Sequence, residues 1–146
     1  MAVTDSREVV IEATPEDILD VIADVESTPE WSPQFQRSEI LETYPDGKPK
    51  QVKNVVKAAG LTDEQVIEYT WAEDKVSWTL VSSGQLKQQD ASYTLVPDGD
   101  KTRVTFDMSI DLSVKLPGFL VKKTMKGGME TATDGLRKQV LKVKKS

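Results

Sequence analysis

From Phe35 to Leu112 the sequence contains six consecutive stretches whose hydrophobic period is two, joined by connectors too short to hold anything but a turn. The stretches are FQRSEILETY, KQVKNVVKAA, EQVIEYTW, KVSWTLVSS, LKQQDASYTLV and KTRVTFDMSIDL. Between them lie PDGKP, GLTD, AED, a short SG region and PDGD. A parallel pair of strands needs a crossover of a dozen or more residues, which none of these connectors supplies. The six strands are therefore an antiparallel meander.

The alternation also says which side of the sheet is dry. In the last strand Val104, Phe106, Met108, Ile110 and Leu112 point one way, against Thr105, Asp107, Ser109 and Asp111. The same parity selects Val76, Trp78 and Leu80, then Tyr93 and Leu95, then Ile67, Tyr69 and Trp71. Val52, Asn54, Val56 and Ala58 oppose Lys53 and Lys57. One face is apolar and rich in aromatics while the other is wet, so something must cover the first.

The flanks supply the cover. Residues 6–13 read as a first strand, with Val9 and Ile11 on one side. Thr14 caps a helix that Pro15 starts, and Glu16 and Asp17 sit well against its positive end. Ile18, Leu19, Ile22 and Val25 form its apolar face. STPEW repeats the start signal and Pro33 stops it, giving a very short second helix that carries Trp31. After Pro117 only one long amphipathic helix is left, with Val121, Met125, Met129, Ala132, Leu136, Val140 and Val143 as its apolar stripe. Gly127–Gly128 and Gly135 interrupt that helix. They mark either close packing or small residues that leave space against the sheet. The expected architecture is α+β, a curved seven-stranded antiparallel sheet in the order β-α-α-β6-α wrapped around a long C-terminal helix, as a single domain over residues 1–146.

Two missing residue types bound the chemistry. The 146-residue chain contains no Cys and no His. Thiol nucleophiles, disulfides, thiolate or imidazole metal sites and Ser–His hydrolysis are excluded. No metal or cofactor is expected. The net charge of −5 argues against nucleic acid as a partner. Residues 114–146 nonetheless hold nine Lys/Arg and two Asp/Glu. This basic stretch reads either as a solvated face drawn to an acidic body or as a surface for weak contact with anionic membranes. No apolar run is long enough to span a bilayer, and MAVTDSREVV lacks the pattern of a secretory signal. A cytoplasmic location is the default expectation.

The strand–two helices–six strands–long helix order, with ATPEDILDVIADVESTPEWSP, VSWTL, the YTLVPDGDKTRVTFDM hairpin and the Pro117-started final helix, resembles the START-like helix-grip fold. Within it the chain is most similar to the polyketide cyclase/dehydrase and lipid-transport superfamily. That resemblance implies a hydrophobic cavity between the sheet and the last helix. Its walls would be Val56, Ile67, Tyr69, Val76, Trp78, Leu80, Tyr93 and Leu95 from the middle strands. Phe106, Met108, Ile110, Met125, Met129 and Ala132 would complete them, with Trp31 plugging one end and bracing Phe35. The cavity's inward polar groups would be Asn54, Tyr69, Ser82, Gln89 and Tyr93.

Three functions follow from this reading. The first is binding or transport of a hydrophobic small molecule such as a lipid, fatty acid or polyketide-like compound. The second is a cyclase/dehydrase-like enzyme, which would need a pair of titratable groups in the cavity. Arg103 points outward, Glu42 lies near a strand end and Glu130 borders the helix stripe, so no such pair stands out. The third is an interaction protein whose cavity is filled by its own side chains. Oligomeric state is not readable from the sequence.

Overall fold

The computed structural model describes residues 2–58 and 60–144. Ala59, at the end of the expected KQVKNVVKAA strand, and Lys145, at the end of the expected C-terminal helix, lie outside the described residues. The first strand, β1, spans Ala2–Ile11, so it begins and ends earlier than its sequence pattern suggests. The meander follows as β2 Phe35–Thr43, β3 Pro49–Ala58, β4 Leu61–Trp71, β5 Lys75–Ser83, β6 Leu86–Asp98 and β7 Lys101–Leu112. The seven strands form one antiparallel sheet in the order β1-β7-β6-β5-β4-β3-β2. Sequence neighbours pair throughout the meander, and β1 closes the far edge on β7, with Val9 opposite Val104 and Arg7 opposite Phe106.

Helix α1 covers Pro15–Ala23, and the Thr14 hydroxyl accepts its Asp17 N–H at 3.2 Å. A 3-10 turn at Val25–Ser27 leads into α2, Thr28–Trp31. The C-terminal cover begins as α3, Gly118–Glu130, and ends as α4, Leu136–Lys144. Between them Thr131–Gly135 is π-helical. The long C-terminal helix expected from the apolar stripe is present, with one π turn within it rather than a regular α-helix throughout. A π turn widens the coil and loosens carbonyls from the ordinary ladder. Side chains fill in: the Thr133 hydroxyl donates to Met129 O at 2.9 Å, and Thr131 Oγ1 donates to Gly127 O at 2.9 Å.

The π turn is also where the cover is fastened to the rest. Arg7 Nε donates to Thr133 Oγ1 at 2.9 Å, and Arg7 Nη2 reaches Asp134 Oδ2 at 3.0 Å. Further on, Arg137 Nη2 donates to Glu12 Oε2 at 2.8 Å and Lys144 Nζ to Glu12 O at 2.8 Å. Both partners of the Arg137–Glu12 pair are two-fifths exposed, so its worth is at most about 1 kcal/mol. Its role is registration of α4 rather than bulk stability.

The buried core lies where α1 and α4 meet each other and the sheet. Ile11, Ile18, Val25, Leu95, Val104 and Leu136 are essentially inaccessible there. Thr102 is buried among them and its hydroxyl donates to Ala13 O at 2.6 Å. Among the described residues no helix is long and apolar enough to cross a membrane.

Gly135 explains one of the helix glycines. A Cβ built there would lie 2.9 Å from Trp31 O and 3.6 Å from Trp31 Cε3, so α2 rests directly on the bare backbone of the π turn. Because the nearer obstacle is main chain, it cannot swing aside. Gly135→Ala is expected to lower stability by about 1–3 kcal/mol in urea unfolding. An unchanged midpoint would show that this contact carries no load.

Candidate ligand-binding cavity

Between the concave face of the sheet and α3 lies a cavity of about 220 Å³. Its floor is made by inward positions of neighbouring strands. Antiparallel register puts Tyr69 opposite Trp78 and Tyr93 opposite Phe106, so four aromatic rings meet on one face. Ring centroids are 5.4 Å apart for Tyr69–Trp78, 5.8 Å for Trp78–Tyr93 and 4.6 Å for Tyr93–Phe106, all tilted. Such tilted pairs add roughly 0.5–1.5 kcal/mol each beyond their buried area. Tyr69 also stacks on Trp71, whose indole N–H donates to Pro49 O at 2.8 Å.

Eleven of the fifteen expected wall residues line this space. They are Trp31, Val56, Ile67, Tyr69 and Trp78, then Tyr93, Phe106, Met108 and Ile110, with Met125 and Ala132 from the cover. Trp31 lines the cavity together with Phe35 and Ile22, so the ring on the short second helix is part of the wall. Gly128 lines the cavity as well, 3.5 Å from Gln34 Oε1 as measured from a built Cβ.

Four expected wall residues are corrected. Val76, Leu95 and Met129 do not line the cavity; each is buried in the packed core that also holds Ile18, Leu136 and Val140. Leu80 packs against that core beside a bulge, where Val66 pairs with Ser82 but Ile67 pairs with Leu80. The same bulge turns Ser82 out to solvent, so the expectation that it points inward is also corrected. Glu42 is exposed and pairs with Lys50 at 3.4 Å, and Arg103 pairs outward with Glu8 at 3.4 Å. Glu130 is half-buried and off the wall.

The structure adds residues that periodicity alone had cut off. Strand β4 starts at Leu61 rather than Glu64, which brings Leu61, Asp63 and Gln65 onto the wall. Their parity is that of Ile67 and Tyr69, so the signal lay in continuing the alternation back into the GLTD connector. Asp63 is buried and accepts from Gly84 N at 2.9 Å, from Gln65 Nε2 at 3.3 Å and from the Ser83 hydroxyl. Gln85, Gln89 and Asn54 also line the cavity, and Asn54 lies opposite Gln65 in the β3–β4 register. Here the sheet splits: β5 and β6 pair only from Lys75↔Thr94 to Thr79↔Asp90. Beyond that point β5 stays with β4, while β6 stays with β7. The cavity thus runs from an aromatic floor to a polar end at the split.

Against this geometry, a family model described as polyketide cyclase/dehydrase and lipid transport matches residues 2–141. The chain belongs to that family. Among solved structures, it is similar to a START superfamily protein from Mycobacterium smegmatis. That likeness has a TM-score of 0.86 at 26% identity over 96% of this chain and 98% of the other. A Thermus thermophilus protein has a TM-score of 0.85 at 20% identity, covering 97% and 99%. The ZhuI aromatase/cyclase from a Streptomyces species has 0.83 at 12%, covering 96% and 94%. The last two establish the helix-grip fold alone. No curated protein matches the sequence.

In this member of the polyketide cyclase/dehydrase and lipid-transport family the two wall phenols differ. Tyr93 donates to Ala132 O at 2.8 Å, using a carbonyl of the π turn. Burial raises the pKa of both phenols well above their ordinary 10.0, and for Tyr93 the neighbouring Tyr69 adds to the shift. Both are neutral donors at neutral pH. Above pH 10.0 the unfolded chain releases protons that the folded chain keeps, so stability falls as pH rises. The tyrosinate absorbance of Tyr69 and Tyr93 is expected to appear together with loss of the far-ultraviolet dichroism. Ionisation of either phenol in a still-folded protein, read by comparing Tyr→Phe variants, would contradict their burial.

Proposed function

We propose that this protein binds and carries a hydrophobic small molecule in the cavity under α3. The observation that supports this most strongly is the void itself. Protein cores pack to the density of organic crystals with few spaces larger than a water molecule, so a space of about 220 Å³ is far more than ordinary packing leaves. The void also argues against the reading in which the protein's own side chains occupy the cavity. An apolar cavity of about 150 Å³ accepts benzene, so this one suits a compound of one or two rings or a short branched chain. Each CH₂ it buries would contribute about 0.8 kcal/mol.

A cyclase or dehydrase role is the second reading, favoured by the family and by the likeness to the aromatase/cyclase. It would require an acid–base pair acting on one substrate. The wall's carboxylate, Asp63, and one of its two phenols, Tyr69, are six residues apart on β4, roughly 20 Å along the strand. That separation favours binding over proton transfer between them.

The carrier reading gains a second surface at the start of α3. Phe119 is 76% exposed there. Lys115, Lys122, Lys123 and Lys126 surround it, and among the described residues no ion pair engages them. Leu116 and Val121, on either side of Phe119 in sequence, line the cavity. We propose that this tip touches anionic membranes, through charge attraction and insertion of one ring.

Two results are expected. Ala132→Trp, projecting into the void, should abolish the fluorescence gained by N-phenyl-1-naphthylamine while leaving the circular dichroism intact. Failure of that variant to fold would mean the position is ordinary packed core. For the tip, vesicles of phosphatidylglycerol should co-sediment the protein at low salt, and less so at high salt or in Phe119→Ala. No sedimentation at low salt would dismiss the membrane contact.

A further inference from the structure

The charge of the cavity wall says more about its occupant than its apolar area does. Among the residues that line the cavity there is no Lys, Arg or His. The one formal charge on the wall is the carboxylate of Asp63. This carboxylate is fixed from three sides by Ser83, Gly84 and Gln65, and so cannot swing out to solvent. On the same wall Gln89 is nine-tenths buried, and its amide oxygen has no hydrogen-bond partner. A buried acceptor without a donor is costly, and a bound hydroxyl would relieve it.

A ligand carboxylate or sulfonate entering this cavity would lose its water, find no cation, and approach a fixed negative charge. A neutral hydroxyl would instead donate to Asp63 or to the Gln89 oxygen. The aromatic floor of Tyr69, Trp78, Tyr93 and Phe106 would take the ring or chain of the same molecule. The indole N–H of Trp31, buried and also unpartnered, is a donor without an acceptor, so the unmet polar groups of the wall are of both kinds. A hydroxyl, being both donor and acceptor, can meet either kind, whereas a carboxylate can meet only the indole N–H.

We propose that the cavity selects neutral, hydroxyl-bearing amphipaths of one or two rings and rejects carboxylate-bearing ligands, fatty acid anions among them, with Asp63 as the selecting residue. This rests on the carrier reading above and narrows it to a ligand class. On this proposal the fatty acid among the ligands expected from the sequence would be disfavoured as its anion.

The test uses three probes of one size on the unaltered protein at neutral pH: naphthalene, 2-naphthol and 2-naphthoate, followed by quenching of tryptophan fluorescence. The account expects naphthalene to bind, 2-naphthol to bind more tightly, and 2-naphthoate to bind at least about tenfold more weakly than 2-naphthol. In Asp63→Asn the naphthol–naphthoate gap should shrink, because the charge is gone while the shape remains. Naphthalene binding with no preference for naphthol over naphthoate would overturn the selection and leave the carrier reading standing. Binding of none of the three would overturn both. The comparison on the unaltered protein decides the matter even where Asp63→Asn fails to fold, and a naphthol preference retained in a folded Asp63→Asn would remove Asp63 from the role.

Discussion

The hydrogen bond from Tyr93 to the carbonyl of Ala132 sets how far the C-terminal cover stands from the sheet. It spans 2.8 Å, between a phenol rooted in the middle of β6 and a main-chain oxygen of the π turn. A turn of ordinary α-helix would keep that oxygen within its own ladder. The π turn frees it, and Thr133, held by Arg7 from β1, keeps the turn in register. On its other side the bare backbone of Gly135 receives Trp31. With the cover fastened here and, further on, by Arg137 and Lys144 to Glu12, α4 packs down onto α1 and becomes core. In the other direction α3 runs over the sheet with space beneath it. The cavity is thus a consequence of where the cover is tied.

Much of this was legible in the residues. Connectors such as AED and PDGD left no topology for residues 35–112 except the meander, and parity chose the aromatic face. Depth was not legible. Val76, Leu95 and Met129 carry the same inward signal as Trp78, Tyr93 and Met125, yet they lie in packed core rather than on the wall. Periodicity reports the side of a strand or helix, while the filling of that side depends on what α1 and α4 bring from elsewhere. Asp63 was missed for a different reason. The turn-like composition of GLTD outweighed its parity, although Asp63 follows the alternation of Ile67 and Tyr69. The π turn left no sequence trace beyond Gly135, whose meaning appears only once Trp31 is placed against it.

Family membership and geometry bear on function at different levels. Membership in the polyketide cyclase/dehydrase and lipid-transport family fixes the fold and leaves both hydrophobic-ligand binding and cyclase activity open. The wall of this particular cavity narrows the choice. It combines a large apolar floor, two phenols kept neutral by burial, one fixed carboxylate and no cation among the lining residues. Those features suit holding a neutral molecule better than driving proton transfer. The exposed Phe119 and its lysines stand next in sequence to wall residues Leu116 and Val121, which puts the proposed membrane contact beside the cavity it would serve.

The central claim is that the void under α3 is a binding site rather than a packing defect. Native mass spectrometry of the protein purified from its own host tests it most directly. The account predicts a reproducible mass excess that disappears on denaturation and corresponds to one apolar, uncharged compound. A protein that flies empty, and stays empty after incubation with a total lipid extract, would contradict it.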